Sequence, residues 1–134
     1  MQLTRHTDYA LRLLIHLAGI GEGRAQIAEV ATAQGISRTH LMKIANELAH
    51  AGFIEAVRGR GGGIRLARDA KDINLGELIR ATEPGCALID CTGCRLIRIC
   101  KLPGVLDEAK AAFMAVLARH SLADILRQPV PPNV

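Results

Sequence analysis

The chain has 134 residues, enough for one compact domain with an accessory element. Its apolar residues are mainly Ala, Leu, Ile and Val, with only Tyr9, Phe53 and Phe113 aromatic, a composition that favours packed helices over a sheet sandwich. A formal charge of +4 is too modest to establish nucleic-acid binding, so the placement of the basic residues has to decide it. Arg5, His6 and Asp8 interrupt the region where the apolar core of a secretory signal would lie. The longest apolar stretch, Leu13 to Ile20, contains His16 and is too short to span a bilayer. We therefore expect a cytoplasmic protein without membrane contact, in which thiols stay reduced and cysteines serve metals rather than disulfides.

In chain order, Thr7-Asp8-Tyr9 opens a helix whose apolar positions Leu11, Leu14, Ile15 and Ala18 recur at helical spacing, and Gly19, Gly21 and Gly23 end it. Gln26 to Ala33 reads as a short second helix with Ile27, Val30 and Ala31 inward. Gln34-Gly35-Ile36-Ser37 is a tight turn, and Ser37 is a good N-cap for a third helix reaching about Ala51, with Leu41, Ile44, Ala45 and Leu48 buried. A short helix, a glycine-bearing turn and a polar-started helix make a helix-turn-helix. Phe53 to Val57 and Ile64 to Leu66 then read as two short strands joined by the basic tip Arg58-Gly59-Arg60-Gly61-Gly62-Gly63. A helix over Leu75 to Ala81 completes a winged helix-turn-helix domain over residues 1–82.

Residues 83–102 form a Gly-, Pro- and Cys-rich loop without periodicity, which needs a ligand to order it. From Pro103 to His120, Leu106, Ala109, Phe113, Val116, Leu117 and His120 line one helix face. Such a helix is about 27 Å long at about 1.5 Å per residue and suits pairing with a second copy, so residues 103–128 are read as a dimerisation helix. Ser121 is a candidate cap for a last short turn, and residues 129–134 read as a flexible tail. The fold class is mostly α.

Side chains near the start of the second helix of a helix-turn-helix reach base edges in the major groove. Here these are Ser37, Arg38, Thr39, His40 and Lys43, of which Arg and Lys suit guanine O6 and N7. A merely solvated helix face is the bland alternative, and the wing weighs against it. Arg58, Arg60 and Arg65 flank four glycines, and Gly61 and Gly62 let the backbone approach a phosphate or a narrow minor groove. A nucleotide-binding loop fails on detail, since no Gly-Lys-Ser/Thr follows and the last glycine of a dinucleotide fingerprint is missing. Arg12 is a weaker candidate phosphate contact. An enzyme is not expected: no nucleophile-plus-base set is visible, and His6, His16, His40, His50 and His120 lack ligand spacing. His16 and His120 read as packing residues.

Cys91, Cys94 and Cys100 stand within ten residues of one another, and thiolate is the preferred ligand of iron–sulfur clusters and a strong one for zinc. Cys86 is either a fourth ligand or a small buried residue behind its Pro-Gly turn. Spacing alone leaves zinc, [2Fe–2S] and [4Fe–4S] open.

The segments Met1 to Arg12 and Val57 to Leu66, together with the three-cysteine loop, resemble in that order the Rrf2 family of bacterial iron–sulfur regulators, and the resemblance covers essentially the whole chain. Within the family, the Thr7-Asp8-Tyr9-Ala10-Leu11-Arg12 opening is most similar to the nitric-oxide-sensing repressors. The resemblance implies a homodimer on a roughly palindromic double-stranded operator, with one [4Fe–4S] cluster per subunit ligated by Cys91, Cys94 and Cys100. It further implies that Asp8, supplied by the partner subunit, takes the fourth position; alone, Asp8 reads as a first-turn carboxylate favoured by the helix dipole. The chain departs from the pattern at one point, since only Thr92 and Gly93 separate Cys91 from Cys94, a shorter tether than relatives usually have. Two rivals are carried forward: a regulator answering to iron or cluster status, and a constitutive DNA-binding protein with a structural zinc.

Overall fold

The computed structural model describes residues 1–85 and 87–127. Cys86 and the tail over 129–134 lie outside the described residues. Helix α1 (Arg5–Gly19) starts two residues before the expected position because Thr4, not Thr7, caps it: the Thr7 N–H donates to Thr4 Oγ1 at 3.3 Å. Its buried stripe is Thr7, Ala10, Leu13, Leu14 and Leu17. This corrects the expected set, because Leu11 and Ala18 are half-buried and Ile15 remains 40% exposed. The sequence of α1 carries two overlapping apolar stripes, and the neighbouring helices decide which faces the core.

Helix α2 (Ile27–Gln34) ends at Gly35, whose φ of 65° is the left-handed conformation that closes a helix. Helix α3 (Arg38–His50) is capped by Ser37 Oγ, which accepts from the His40 N–H, and buries Leu41, Ile44, Ala45 and Leu48. Strands β1 (Ile54–Val57) and β2 (Gly63–Leu66) pair antiparallel, with Glu55 opposite Arg65 and Val57 opposite Gly63. Helices α1 and α3, the first strand and Phe53 share one core, to which Ile73, Leu78 and Leu122 are added from the C-terminal half.

Helix α4 (Leu75–Thr82) is capped by Asn74 Oδ1. Helix α5 (Leu102–Ala118) ends two residues before His120 and packs on α4. Gly76 makes the approach possible: a Cβ there would stand 3.1 Å from the backbone of Ala118. The expected single apolar face of α5 is in fact divided. Leu106 and Leu117 are half-buried with Met114, whereas Ala109, Phe113 and Val116 lie open beside Leu102 and Val105. His120 is exposed rather than packed, and its carbonyl accepts from the Leu75 N–H at 3.0 Å. Ser121 and Asp124 cap each other reciprocally at the final short turn.

A polar clasp joins the start of α1 to the end of α4. Thr7 Oγ1 is hydrogen-bonded to Thr82 Oγ1 at 3.0 Å, which donates in turn to the Leu78 carbonyl, and both threonines are buried. Thr82→Val removes the acceptor of a fully buried hydroxyl and should cost about 1–3 kcal/mol, whereas the Thr7→Val/Thr82→Val pair, which removes both partners, should cost much less. Urea denaturation of the two variants measures the difference.

Beside this clasp, the Thr4 N–H donates to Glu83 Oε1 at 2.6 Å, and Thr4 Oγ1 donates to the same oxygen. Partial burial pushes the Glu83 carboxyl up, but the hydrogen bonds from the Thr4 N–H and hydroxyl help hold it below its ordinary value. A carboxyl depressed by folding contributes stability that is complete above its unfolded pKa and is lost as the pH falls through the folded one. Glu83→Gln should therefore lower stability at neutral pH and flatten the decline below the ordinary carboxylate range, as read from denaturation midpoints across that range.

Candidate nucleic-acid interface and cysteine loop

The surface of α3 that faces solvent carries Arg38, Thr39, Lys43 and Asn46. Met42, 41% exposed, stands among them at helical spacing. Sequence reasoning passed over this methionine; its position three residues after Thr39 was the available signal. The other predicted readers are partly committed inside the fold. Ser37 Oγ already accepts the capping N–H, and His40 is half-buried with its ring edge-on to Tyr9 at a centroid distance of 5.2 Å. His6 of α1 meets Glu47 of α3 at 2.8 Å, so both ends of the reading helix are tied to the first turns of α1.

The wing divides in the same way. Arg58 and Arg60 are exposed and have no carboxylate partner among the described residues. Arg65 is spent on Glu55, its cross-strand neighbour, at 2.6 Å. Arg12 is likewise held by Asp8, with Nε donating to Oδ1 at 2.9 Å and Nη2 to Oδ2 at 3.3 Å. That hydrogen bond and charge raise the Arg12 pKa above its ordinary value. Gly61 is exposed at the tip, whereas Gly62 is buried, which removes it as a point of backbone approach. The glycine is needed internally: a Cβ on Gly62 would stand 2.3 Å from the Val57 carbonyl oxygen, and one on Gly63 would stand 2.6 Å from that of Ala25.

Cys91, Cys94 and Cys100 are free thiols, the first half-buried and the others exposed. Isolated turns organise their loop: Cys94 N–H donates to the Cys91 carbonyl, and Cys100 N–H to that of Leu96. The Asp90 carboxyl, held below its ordinary value by the hydroxyl and N–H of Thr92, shapes the turn before them. The donor chemistry fits a thiolate-held group, since three free thiols stand within ten residues of one loop. The geometry is open: among the described residues no group of three or more His, Cys, Asp or Glu is gathered closely enough to hold a metal ion. Asp8 is not gathered with the thiols among the described residues.

A capped helix-turn-helix, a two-stranded basic wing and a C-terminal helix packed on the fourth define a winged-helix DNA-binding transcriptional regulator. The model of the Rrf2 family, described as iron-dependent transcriptional regulators, matches residues 3–128. The chain belongs to that family, whose members regulate transcription and are not enzymes. Among solved structures it is similar to IscR of T. potens at 28% identity and a TM-score of 0.79, over 98% of this chain and 93% of that one. It is also similar to the oxidized form of CymR of Staphylococcus aureus, at 26% identity and a TM-score of 0.74, over 98% and 99% of the two chains. CymR of B. subtilis, described as the global cysteine regulator, shares the fold at 24% identity and a TM-score of 0.71, over 93% and 95%. No helix among the described residues is long and apolar enough to cross a membrane.

Proposed function

We propose that the protein is a homodimeric repressor whose operator affinity is controlled by a [4Fe–4S] cluster in each subunit, and that nitric oxide is its signal. The observation that carries this reading is the presence, in one chain of an iron-dependent regulator family, of a solvent-facing reading helix, a basic wing and three free thiols in a single exposed loop. The Thr7 to Arg12 opening, similar to that of the NsrR branch, supports the choice of signal. Residues 1–82 would read DNA, 83–102 would hold the cluster through Cys91, Cys94 and Cys100, and 103–128 would pair the subunits in the cytoplasm. The open apolar strip of Leu102, Val105, Phe113 and Val116 on α5 supports a second copy there. Two reading helices would then enter successive major grooves of a roughly palindromic operator, about 34 Å apart.

When bound, a cluster supplies iron that reacts with nitric oxide. The chain's own part lies in Asp8. Its carboxylate is held by Arg12 through two hydrogen bonds, so donation to the other subunit's loop competes with that ion pair. An Asp8 not engaged in such a site would stay paired with Arg12, as in this chain. The first turns of α1 touch α3 through Tyr9–His40 and His6–Glu47, contacts through which a change at Asp8 would reach the reading helix.

An anaerobic visible spectrum followed through a nitric oxide titration, with DNA binding read in parallel, tests the proposal. A broad brown absorption bleached in step with loss of binding is expected. Asp8→Ala should weaken the cluster or blunt the response; an unchanged spectrum and titration would refute the ligand assignment. The family's iron dependence favours a second reading, in which iron or cluster status gates the protein, with a [2Fe–2S] group as the alternative cluster; the rival outside sensing is a constitutive DNA-binding protein with a structural zinc in the loop. A colourless, zinc-containing protein after anaerobic reconstitution would establish the structural-metal form and remove gas sensing.

A further inference from the structure

We propose that Arg24, in the loop between α1 and α2, is a phosphate-contacting residue of the DNA interface and fixes the wing tip while doing so. Three consecutive residues reach the wing from outside it. Ala25 pairs with Ile64 of β2 through two backbone hydrogen bonds, of 3.0 and 2.9 Å. On either side of it, Arg24 Nη1 donates to the Gly61 carbonyl at 3.2 Å and Gln26 Nε2 donates to the Gly62 carbonyl. Gln26 is also the N-cap of α2, in a capping box with Glu29, so the tip of the wing is fastened to the first residue of the helix-turn-helix. The contact is close enough to exclude a side chain at Gly63.

This brace leaves Arg24 exposed with a fixed location beside Arg58 and Arg60. A guanidinium has five N–H donors, and the Gly61 carbonyl takes one. No carboxylate pairs with Arg24, Arg58 or Arg60 among the described residues, whereas Arg12, Arg65 and Arg68 are each matched by an acid. Elsewhere on the domain, Arg5, Arg38 and Arg80 also lack an acid among the described residues, but they stand singly, whereas the wing tip holds three such cations. Planar forked donors that are pre-positioned and unpaired suit a phosphate oxygen. The sequence gives no hint of this, because Arg24 lies 37 residues from the carbonyl that holds it.

The test is fluorescence anisotropy of the full chain on a mixed-sequence duplex of about 30 base pairs, long enough for two half-sites one turn apart, over a range of salt concentrations. Each phosphate contact contributes about 0.9 to the slope of log affinity against log salt, so Arg24→Gln should lower the slope by about 0.9 per bound protomer and weaken binding about fivefold at low salt. Arg24→Lys should keep the slope. Glutamine can still donate to the Gly61 carbonyl, so Arg24→Gln with wild-type affinity and slope would reduce Arg24 to a brace and overturn the proposal. Arg60→Gln, measured alongside, separates the causes: a lowered slope there with none at Arg24 rejects the Arg24 contact alone. No change in either variant removes both Arg24 and Arg60 from the DNA interface and overturns the proposal. Thermal unfolding midpoints equal to wild type show that each exposed substitution left the fold intact.

Discussion

Phe53→Ala should destabilise the domain by about 3–5 kcal/mol, against a total of about 5–15 kcal/mol for a domain of this kind. Phe53 is 1% exposed and lies where α3 hands over to β1. Its N–H donates to the Leu48 carbonyl and its own carbonyl accepts from Ala67, both at 3.0 Å. The Arg68 guanidinium lies over the ring at 4.7 Å and is itself held by the Gly52 carbonyl and by Glu77. Truncation would therefore leave a cavity between reading helix and wing and release Arg68 together with the β2–α4 connection. Chemical denaturation gives the loss directly. A value below about 1 kcal/mol would mean that the site collapses around the smaller side chain and that Phe53 is not the hinge of the domain. Phe53→Leu, closer in volume, should cost about 1.5 kcal/mol or less.

Cys94→Ser should separate cofactor from fold. The residue is exposed and its N–H donates to the Cys91 carbonyl, a bond that serine keeps, so a hydroxyl in place of the thiol should leave the melting temperature unchanged. Serine is a poor ligand at neutral pH because its hydroxyl stays protonated, whereas thiolate is what cluster iron binds. Under the proposed function, anaerobic reconstitution should fall from about four irons per chain to well below one, with loss of the brown absorption and of any nitric oxide response. Retention of full iron content would show that Cys94 is not a ligand, and comparison with a Cys86→Ser variant would reveal whether that cysteine holds the position instead. The Thr92-Gly93 tether makes this informative, since only those two residues link Cys91 to Cys94.

Much of the architecture was legible because it is encoded over short distances. Ser37 announces the start of α3, Gly35 supplies the left-handed residue that ends α2, and the hydrophobic spacing of Leu41, Ile44, Ala45 and Leu48 places the buried stripe of the reading helix. Capping, left-handed turns and helical periodicity each act within about one turn of chain. The wing was legible for the same reason, although the purpose of its glycines was not. Gly62 and Gly63 serve the backbone of the wing and of Ala25 before they can serve any nucleic acid.

The sequence by itself determined a mostly helical winged domain, a reading helix begun by Ser37 and Arg38, and a loop carrying three thiols. Only the tertiary structure decided which of these groups are free to act. The strand register sets Arg65 against Glu55, and the helical turn sets Arg12 against Asp8, so two expected DNA contacts carry an acid with them. The same packing turns Ile15 outward, splits the face of α5, buries the Thr7–Thr82 pair 75 residues apart and brings Arg24 to the wing. Apart from the Asp8–Arg12 pair, which one helical turn sets, such choices depend on contacts between distant segments, where many pairings are sterically open and the one adopted is set by the packing of the whole core.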